Sequence, residues 1–134
     1  MAYDKILPAT TPLHEPFWAS VKSHAMALQK CDDCGAFRFI PLELCPKCHS
    51  EASTWTPVSG NGTVYTFTIV YRGPTPAYQA EAPYVLAHIE TTEGPRIMSR
   101  LVNVEPDAVK IGMPVKVTYD DVTDDFTLYL YEPA

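Results

Sequence analysis

The sequence predicts a mainly β protein built in two unequal parts behind a short N-terminal helix. Three observations carry this reading. All four cysteines of the 134-residue chain fall in two C-x-x-C pairs, Cys31 with Cys34 and Cys45 with Cys48. A turn cluster, Ser59-Gly-Asn-Gly62, interrupts the chain beyond them. After that break the apolar residues recur with period two in five separate runs, the pattern of half-buried strands.

Residues 1–12 carry two prolines and little periodicity, so they read as an arm that docks or stays mobile. Pro16 suits the first turn of a helix, where its missing N–H costs nothing. Phe17, Trp18 and Val21 then share one side of a helix over about 15–24. The two aromatic residues either cap the core or meet a partner. Residues 1–25 thus form an arm and helix.

Met26 to Lys30 alternates and predicts a strand leading into the first cysteine turn. Phe37 and Phe39 alternate on the way out until Pro41 ends the run, and Ser53 to Pro57 is a third strand. Two C-x-x-C turns facing each other offer four sulfurs, a closed tetrahedral set suited to Zn²⁺ at roughly 2.3 Å per bond. Two disulfides would use the same residues, but they belong to oxidising compartments, and the sequence begins without an export signal. Thioredoxin-like chemistry wants one C-x-x-C opening a helix, and Gly35 and the prolines break helix here. Four cysteines leave the metal no open position, so it holds structure and activates no water; His49, beside Cys48, is surplus to the ligand set. Residues 26–58 therefore predict a zinc ribbon, with the metal as its main staple because so small a unit buries little apolar surface.

Residues 59–134 hold the five runs. The first places Tyr65, Phe67, Ile69 and Tyr71 on one face, which assigns these residues to the core. Val85, Ala87 and Ile89 mark the second strand, and Arg96 to Val102 the third. Glu105 to Val109 is one helical turn. Val115, Val117 and Tyr119 mark the fourth strand; Phe126, Leu128 and Leu130 mark the fifth, with Tyr129 and Tyr131 opposite. Five strands with a helical turn between the third and fourth match an OB-type barrel, with an SH3-like or sandwich arrangement as the rival. The loop Arg72 to Pro83 has twelve residues and three prolines, a length usually functional or disordered. It joins the first two strands, where OB-folds commonly meet ligands. Tyr71 and Tyr78 are its contact residues, unless the loop is only a stiff surface feature.

Composition bounds the function. Hydrophobic residues make up 46% and charged residues 19%, which is globular rather than disordered. No apolar run approaches the ~20 residues of a membrane span, and a reducing cytoplasm is the expected location. Net charge is −6, and residues 59–134 hold five Lys/Arg against ten Asp/Glu. That balance disfavours nucleic acid, which binds through cations neutralising phosphate. The four histidines, His14, His24, His49 and His88, are scattered; Ser99 and Asp125 complete no triad; no catalytic motif is present. His88, mid-strand and opposite the core face, reads as structural.

With both parts laid out, the chain resembles a family of small acyl-CoA-associated proteins that fuse a rubredoxin-like zinc ribbon to an OB-fold. The likeness rests on Pro16-Phe17-Trp18, Leu28-Gln-Lys-Cys-Asp-Asp-Cys-Gly35, Cys45-Pro-Lys-Cys48, Ser59-Gly-Asn-Gly-Thr-Val-Tyr65, Pro83-Tyr84-Val85, Gly94-Pro95-Arg96 and Ile111-Gly-Met-Pro-Val115. It covers nearly all of residues 13–133. The resemblance implies a non-catalytic accessory subunit of a hetero-oligomer. Its partner is a thiolase-superfamily or lipid-transfer-protein-like enzyme (thiolase, acyltransferase or retro-aldolase, sometimes a hydratase) acting on acyl-CoA. Such a subunit docks the partner and helps form or shield its CoA channel, while the reacting groups belong to the partner. On this reading Arg72, Arg96 and Arg100 are candidates for the CoA phosphates, unless they only balance local acids. Phe17, Trp18, Tyr71 and Tyr78 are candidates for the partner. The alternative is a nucleic-acid-binding ribbon and barrel.

Overall fold

The computed structural model of the protein describes residues 3–134; the first two residues of the expected arm lie outside the described residues. Helix α1 (Glu15–Lys22) starts at Glu15 and Pro16 and buries Phe17 and Val21. Strands β1 (Ala27–Cys31), β2 (Phe37–Arg38) and β3 (Ser53–Pro57) follow, in a three-stranded antiparallel sheet of order β2-β1-β3. Strand β4 (Asn61–Val70), the short helix α2 (Pro76–Gln79), β5 (Tyr84–Thr91), β6 (Arg96–Leu101), a 3₁₀ turn at Pro106–Ala108, β7 (Pro114–Asp121) and β8 (Thr127–Pro133) complete the chain. The last five strands close into a barrel of order β4-β5-β6-β8-β7, sealed by the antiparallel β4–β7 pair and a parallel contact of Leu101 with Tyr131. That closure, with the fifth barrel strand lying between the third and fourth, is the OB-type arrangement rather than the SH3-like or sandwich rival.

The central strand β1 departs from simple alternation. Met26, Ala27, Leu28, Gln29 and Cys31 are all buried, and Lys30 alone is exposed. Helix and barrel cover one face, while the loop after β2 covers the other.

The first barrel strand corrects the expected face. Val64, not Tyr65, points inward, and Tyr65 is 46% exposed. A bulge between Val64 and Thr66 is the reason: Val64 pairs with Ile89 and Thr66 with His88, which leaves Tyr65 as the extra residue. An extra residue moves the inward set by one position, so Phe67 and Ile69 return to the core side. Tyr71 lies beyond the strand and is 65% exposed, also against the core assignment. His88 is exposed rather than packed. In β8 the tyrosines face inward, with Tyr131 fully buried, and Leu128 and Leu130 lie half-buried on the outside.

One core runs through both parts. Phe17 and Val21 from α1, Met26 and Leu28 from the ribbon, and Val64, Val85, Ile89, Ile97, Val115 and Tyr131 from the barrel form a single cluster. Phe17 stacks edge-on against Trp18 and Tyr129 and packs against Phe39. At 2% exposure it is a core residue, which corrects its expected role as a partner contact. Polar ties reinforce the junction: the Met26 N–H donates to the Tyr119 hydroxyl at 2.9 Å. His24 stacks on Tyr119, and its Nε2 lies 2.9 Å from an Asp121 carboxylate oxygen. Among the described residues, no helix is long and apolar enough to cross a membrane.

Candidate metal centre and ligand-facing groove

The two cysteine turns are built alike. In the first, the Gly35 N–H donates to the Cys31 carbonyl at 3.0 Å and the Cys31 N–H to Ala36 at 2.8 Å. In the second, His49 N–H donates to Cys45 at 2.9 Å and Cys45 N–H to Ser50 at 2.9 Å. Gly35 and His49 both take positive φ, 78° and 65°. The turn demands that conformation, and glycine meets it without a Cβ clash. His49 is thus a backbone-determined, exposed residue at the equivalent position.

These turns bring Cys31, Cys34, Cys45 and Cys48 together, with all four Sγ atoms within 4.8 Å of one another. Cys31 and Cys48 sulfurs lie 3.5 Å apart, and Cys34 and Cys45 sulfurs 3.6 Å. A tetrahedron with ~2.3 Å bonds has edges of about 3.8 Å, so the cage fits Zn²⁺. Its electrostatics agree. The Cys34 N–H, helped by that of Asp33, outweighs desolvation and brings the Cys31 thiol down to about 6. Donation from the Cys48 N–H, then that of Lys47, lowers Cys45. Cys48 goes the other way: the Ser50 N–H favours its thiolate, but the three neighbouring sulfurs hold its thiol up to about 12. Four thiolates this close require a cation between them. When bound, the metal supplies a cross-link between the two turns, and the four residues fill its coordination shell.

Two buried polar residues that the periodicity does not mark brace the second turn. Gln29 offers its amide N–H to the Leu42 carbonyl at 3.1 Å and accepts the Leu42 N–H at 2.8 Å. Arg38, 2% exposed, donates to the carbonyls of Leu42 (2.8 Å), Ser50 and Ala52 (both 3.4 Å). The one legible signal for Arg38 is its place between Phe37 and Phe39, on the opposite side of that short strand.

The long loop is folded, not slack. Thr75 caps α2, its hydroxyl accepting the Tyr78 N–H. Gln79 accepts the Gly73 N–H at 2.8 Å and donates to the Tyr71 carbonyl at 3.3 Å. A Cβ on Gly73 would run into the Tyr78–Gln79 backbone, so the hairpin back onto α2 depends on glycine there. Glu81 is gripped twice, by Arg100 from β6 and by Lys5 from the arm at 2.5 Å. The arm residues near Lys5 therefore dock on the loop. Together they bound a groove of about 410 Å³ over the outer face of the barrel, lined by Tyr3, Tyr78, Tyr84, Leu86, Leu128 and Leu130 among others.

The candidate arginines separate. Arg96 pairs with Glu90 at 3.1 Å and stacks over Tyr65, 3.7 Å from its centroid. Arg100 pairs with Glu81 and lies over Tyr84. Arg72 is exposed and in no ion pair among the described residues. Trp18 packs against Phe126 and Tyr129 while lining a shallow cleft with Leu7 and Pro8. Tyr78 is half-buried against Tyr84, and Tyr71 stands free. Asp121 accepts from both His24 and Thr127 and is held below the usual carboxylate range, first by the His24 hydrogen bond. The Thr127 hydroxyl faces the carboxylate rather than the imidazole, so this trio activates no nucleophile.

A metal-stapled ribbon fused through one core to an OB barrel defines the class. Residues 18–54 match the family described as ChsH2, rubredoxin-like zinc ribbon domain, and residues 55–120 match ChsH2, C-terminal OB-fold domain. The chain belongs to this ChsH2 (DUF35) family of zinc-ribbon and OB-fold proteins. It is 34% identical over 110 residues to a DUF35 domain-containing scaffold protein of Methanocaldococcus jannaschii, covering 81% of this chain and 77% of that one. It is 35% identical over 119 residues to a probable enoyl-CoA hydratase alpha subunit of Thermomonospora curvata, covering 88% of this chain and 37% of that protein. This chain thus spans little over a third of the hydratase subunit's length. Among solved structures, a chain of the Ltp2-ChsH2(DUF35) aldolase superposes with a TM-score of 0.85 at 32% identity, covering 95% of this chain and 98% of that one.

Proposed function

We propose that this protein is a non-catalytic subunit of a hetero-oligomeric thiolase-superfamily complex, where it docks the enzyme and helps form or shield the channel for an acyl-CoA substrate. One observation carries the reading. The likeness to a chain of the Ltp2-ChsH2(DUF35) aldolase spans ribbon, helix and barrel together, over nearly the full length of both chains. The closed cysteine shell supports a structural metal, which leaves the chemistry to a partner. Cysteines kept reduced for metal binding at that centre suit a reducing cytoplasm.

The prebuilt loop and groove are the surface for this work. A loop already ordered by Gln79 and Glu81 loses little entropy on docking. Trp18, Tyr71 and Tyr78 supply aromatic contacts toward the enzyme. Arg72 is the arginine with donors free for a CoA phosphate, since Arg96 and Arg100 already serve Glu90 and Glu81.

Co-expression with a thiolase-like enzyme and a pull-down tests the assembly. A stable stoichiometric complex supports the reading, and a chain that stays monomeric beside every such enzyme defeats it. Within the complex, Arg72→Ala weakens acyl-CoA binding by about 1.5–3 kcal/mol if it meets a phosphate directly. Unchanged affinity by calorimetry removes Arg72 from the site.

A further inference from the structure

Arg38 presents a buried charge with no visible anion. Its side chain is 2% exposed, and among the described residues no carboxylate pairs with it. Its terminal nitrogens reach only neutral partners, the carbonyls of Leu42, Ser50 and Ala52, and its Nε is buried without a partner. A guanidinium stays charged at any pH a protein meets. Burying such a charge is costly unless an opposite charge lies near.

The three carbonyls locate that charge. Ser50 O also accepts the Cys45 N–H, and Ala52 O also accepts the N–H of Asp32, next to Cys31. Arg38 is therefore one shared carbonyl from each cysteine turn. A divalent ion on four thiolates carries a net charge of −2, by simple addition of the ligand and metal charges. We propose that Arg38 is the counter-ion of the metal–thiolate centre: it offsets part of that negative charge and so stabilises the metal-loaded form. Hydrogen bonds to carbonyls need donors but no charge, and a neutral amide also supplies N–H donors. The buried guanidinium adds a charge to them, and two of its three carbonyls also accept backbone N–H groups of the cysteine turns, which ties it to the tetrathiolate.

The test separates charge from hydrogen bonding in the full-length chain. Iron is loaded into the ribbon in place of zinc, and the ferric/ferrous midpoint is measured by spectroelectrochemistry. The ferrous centre carries −2 and the ferric −1, so a nearby cation favours the ferrous form. Arg38→Gln keeps donors but removes charge, and it shifts the ferrous/ferric balance at least tenfold toward ferric, a fall of about 59 mV for one electron. Its Zn²⁺ affinity, measured by chelator competition, falls about tenfold or more. Arg38→Lys loses the three-carbonyl fork but keeps the charge, and holds the midpoint within threefold of the parent. A Gln variant with an unchanged midpoint overturns the proposal, as does a Lys variant that shifts as far as Gln or cannot retain metal. Where the Gln variant fails to fold, Arg38→Met replaces it in the same measurement, with the same fall expected and an unchanged midpoint overturning the proposal.

Discussion

Gln29 commits both ends of its amide to one residue, Leu42, from a position buried in the central ribbon strand. Gln29→Leu strands the N–H and C=O of Leu42 and is expected to destabilise the protein by about 1–3 kcal/mol in urea unfolding. A loss below the measurement error would mean that water replaces the amide. Tyr131 is the opposite case. It is fully buried, and its hydroxyl has no partner among the described residues. Tyr131→Phe removes a desolvated hydroxyl and keeps the ring, so unfolding is expected to be unchanged or slightly harder. A loss above about 1 kcal/mol would reveal a hydrogen bond, direct or through water. At this scale the cysteines are legible because their spacing is their chemistry. Gln29 and Arg38 are not, because a polar residue in a short strand gives no sign that both faces are covered.

The loop from Arg72 to Pro83 and the docked arm behave as one element, joined at Glu81. Burial favours the neutral form of this carboxyl, but hydrogen bonds from Lys5 and then Arg100 hold it below its ordinary 4.5. The Glu81 hydrogen bond in turn raises Lys5 above 10.5. The signs follow from linkage. Glu81 contributes fully above its unfolded value near 4.5 and loses its contribution as pH falls through its lower folded pKa. Lys5 contributes fully below 10.5 and loses its contribution as pH rises through its higher folded pKa. The arm is therefore expected to stay docked between these limits. The methyl NMR signals of Ile6 report it: an acid transition centred below 4.5 supports the clasp, and one at or above 4.5 removes it. The length and prolines of this loop advertise it in the sequence. Its fold, with Gly73 against the Tyr78–Gln79 backbone, depends on contacts that no local pattern carries.

Across the molecule, the ribbon and barrel share a core but rely on different staples. The barrel closes on its own hydrogen bonds, whereas the ribbon strands are short and β2 has two residues. Structural zinc in small peptides contributes on the order of 10–16 kcal/mol. A strong chelator is expected to unfold the ribbon and to loosen Phe17, Met26 and Leu28 from the shared core. Tryptophan fluorescence follows it, since Trp55 sits in β3 and Trp18 on α1. Cys34→Ser is expected to do the same without chelator and to lower the yield of any assembly. Full metal content with unchanged spectra in that variant would remove the structural role of the metal. The Ser59–Gly62 cluster straddles the seam: Ser59 and Gly60 follow β3, which pairs in the ribbon sheet, and Asn61 and Gly62 open β4, whose pairing belongs to the barrel.

By itself the sequence marked the four-cysteine cluster, the β character of both parts, the positions of the five barrel strands along the chain and the acidity that disfavours nucleic acid. Each is local: spacing, alternation and charge act within a few residues. Only the tertiary structure decided that Phe17 belongs to the core, that Tyr65 faces out and that Arg38 is buried without an anion. The bulge at Tyr65 shifts a register set by another strand, and burial is a property of what packs on top. Period-two reasoning assumes one covered face and an unbroken ladder, and these residues lie where one or the other assumption fails.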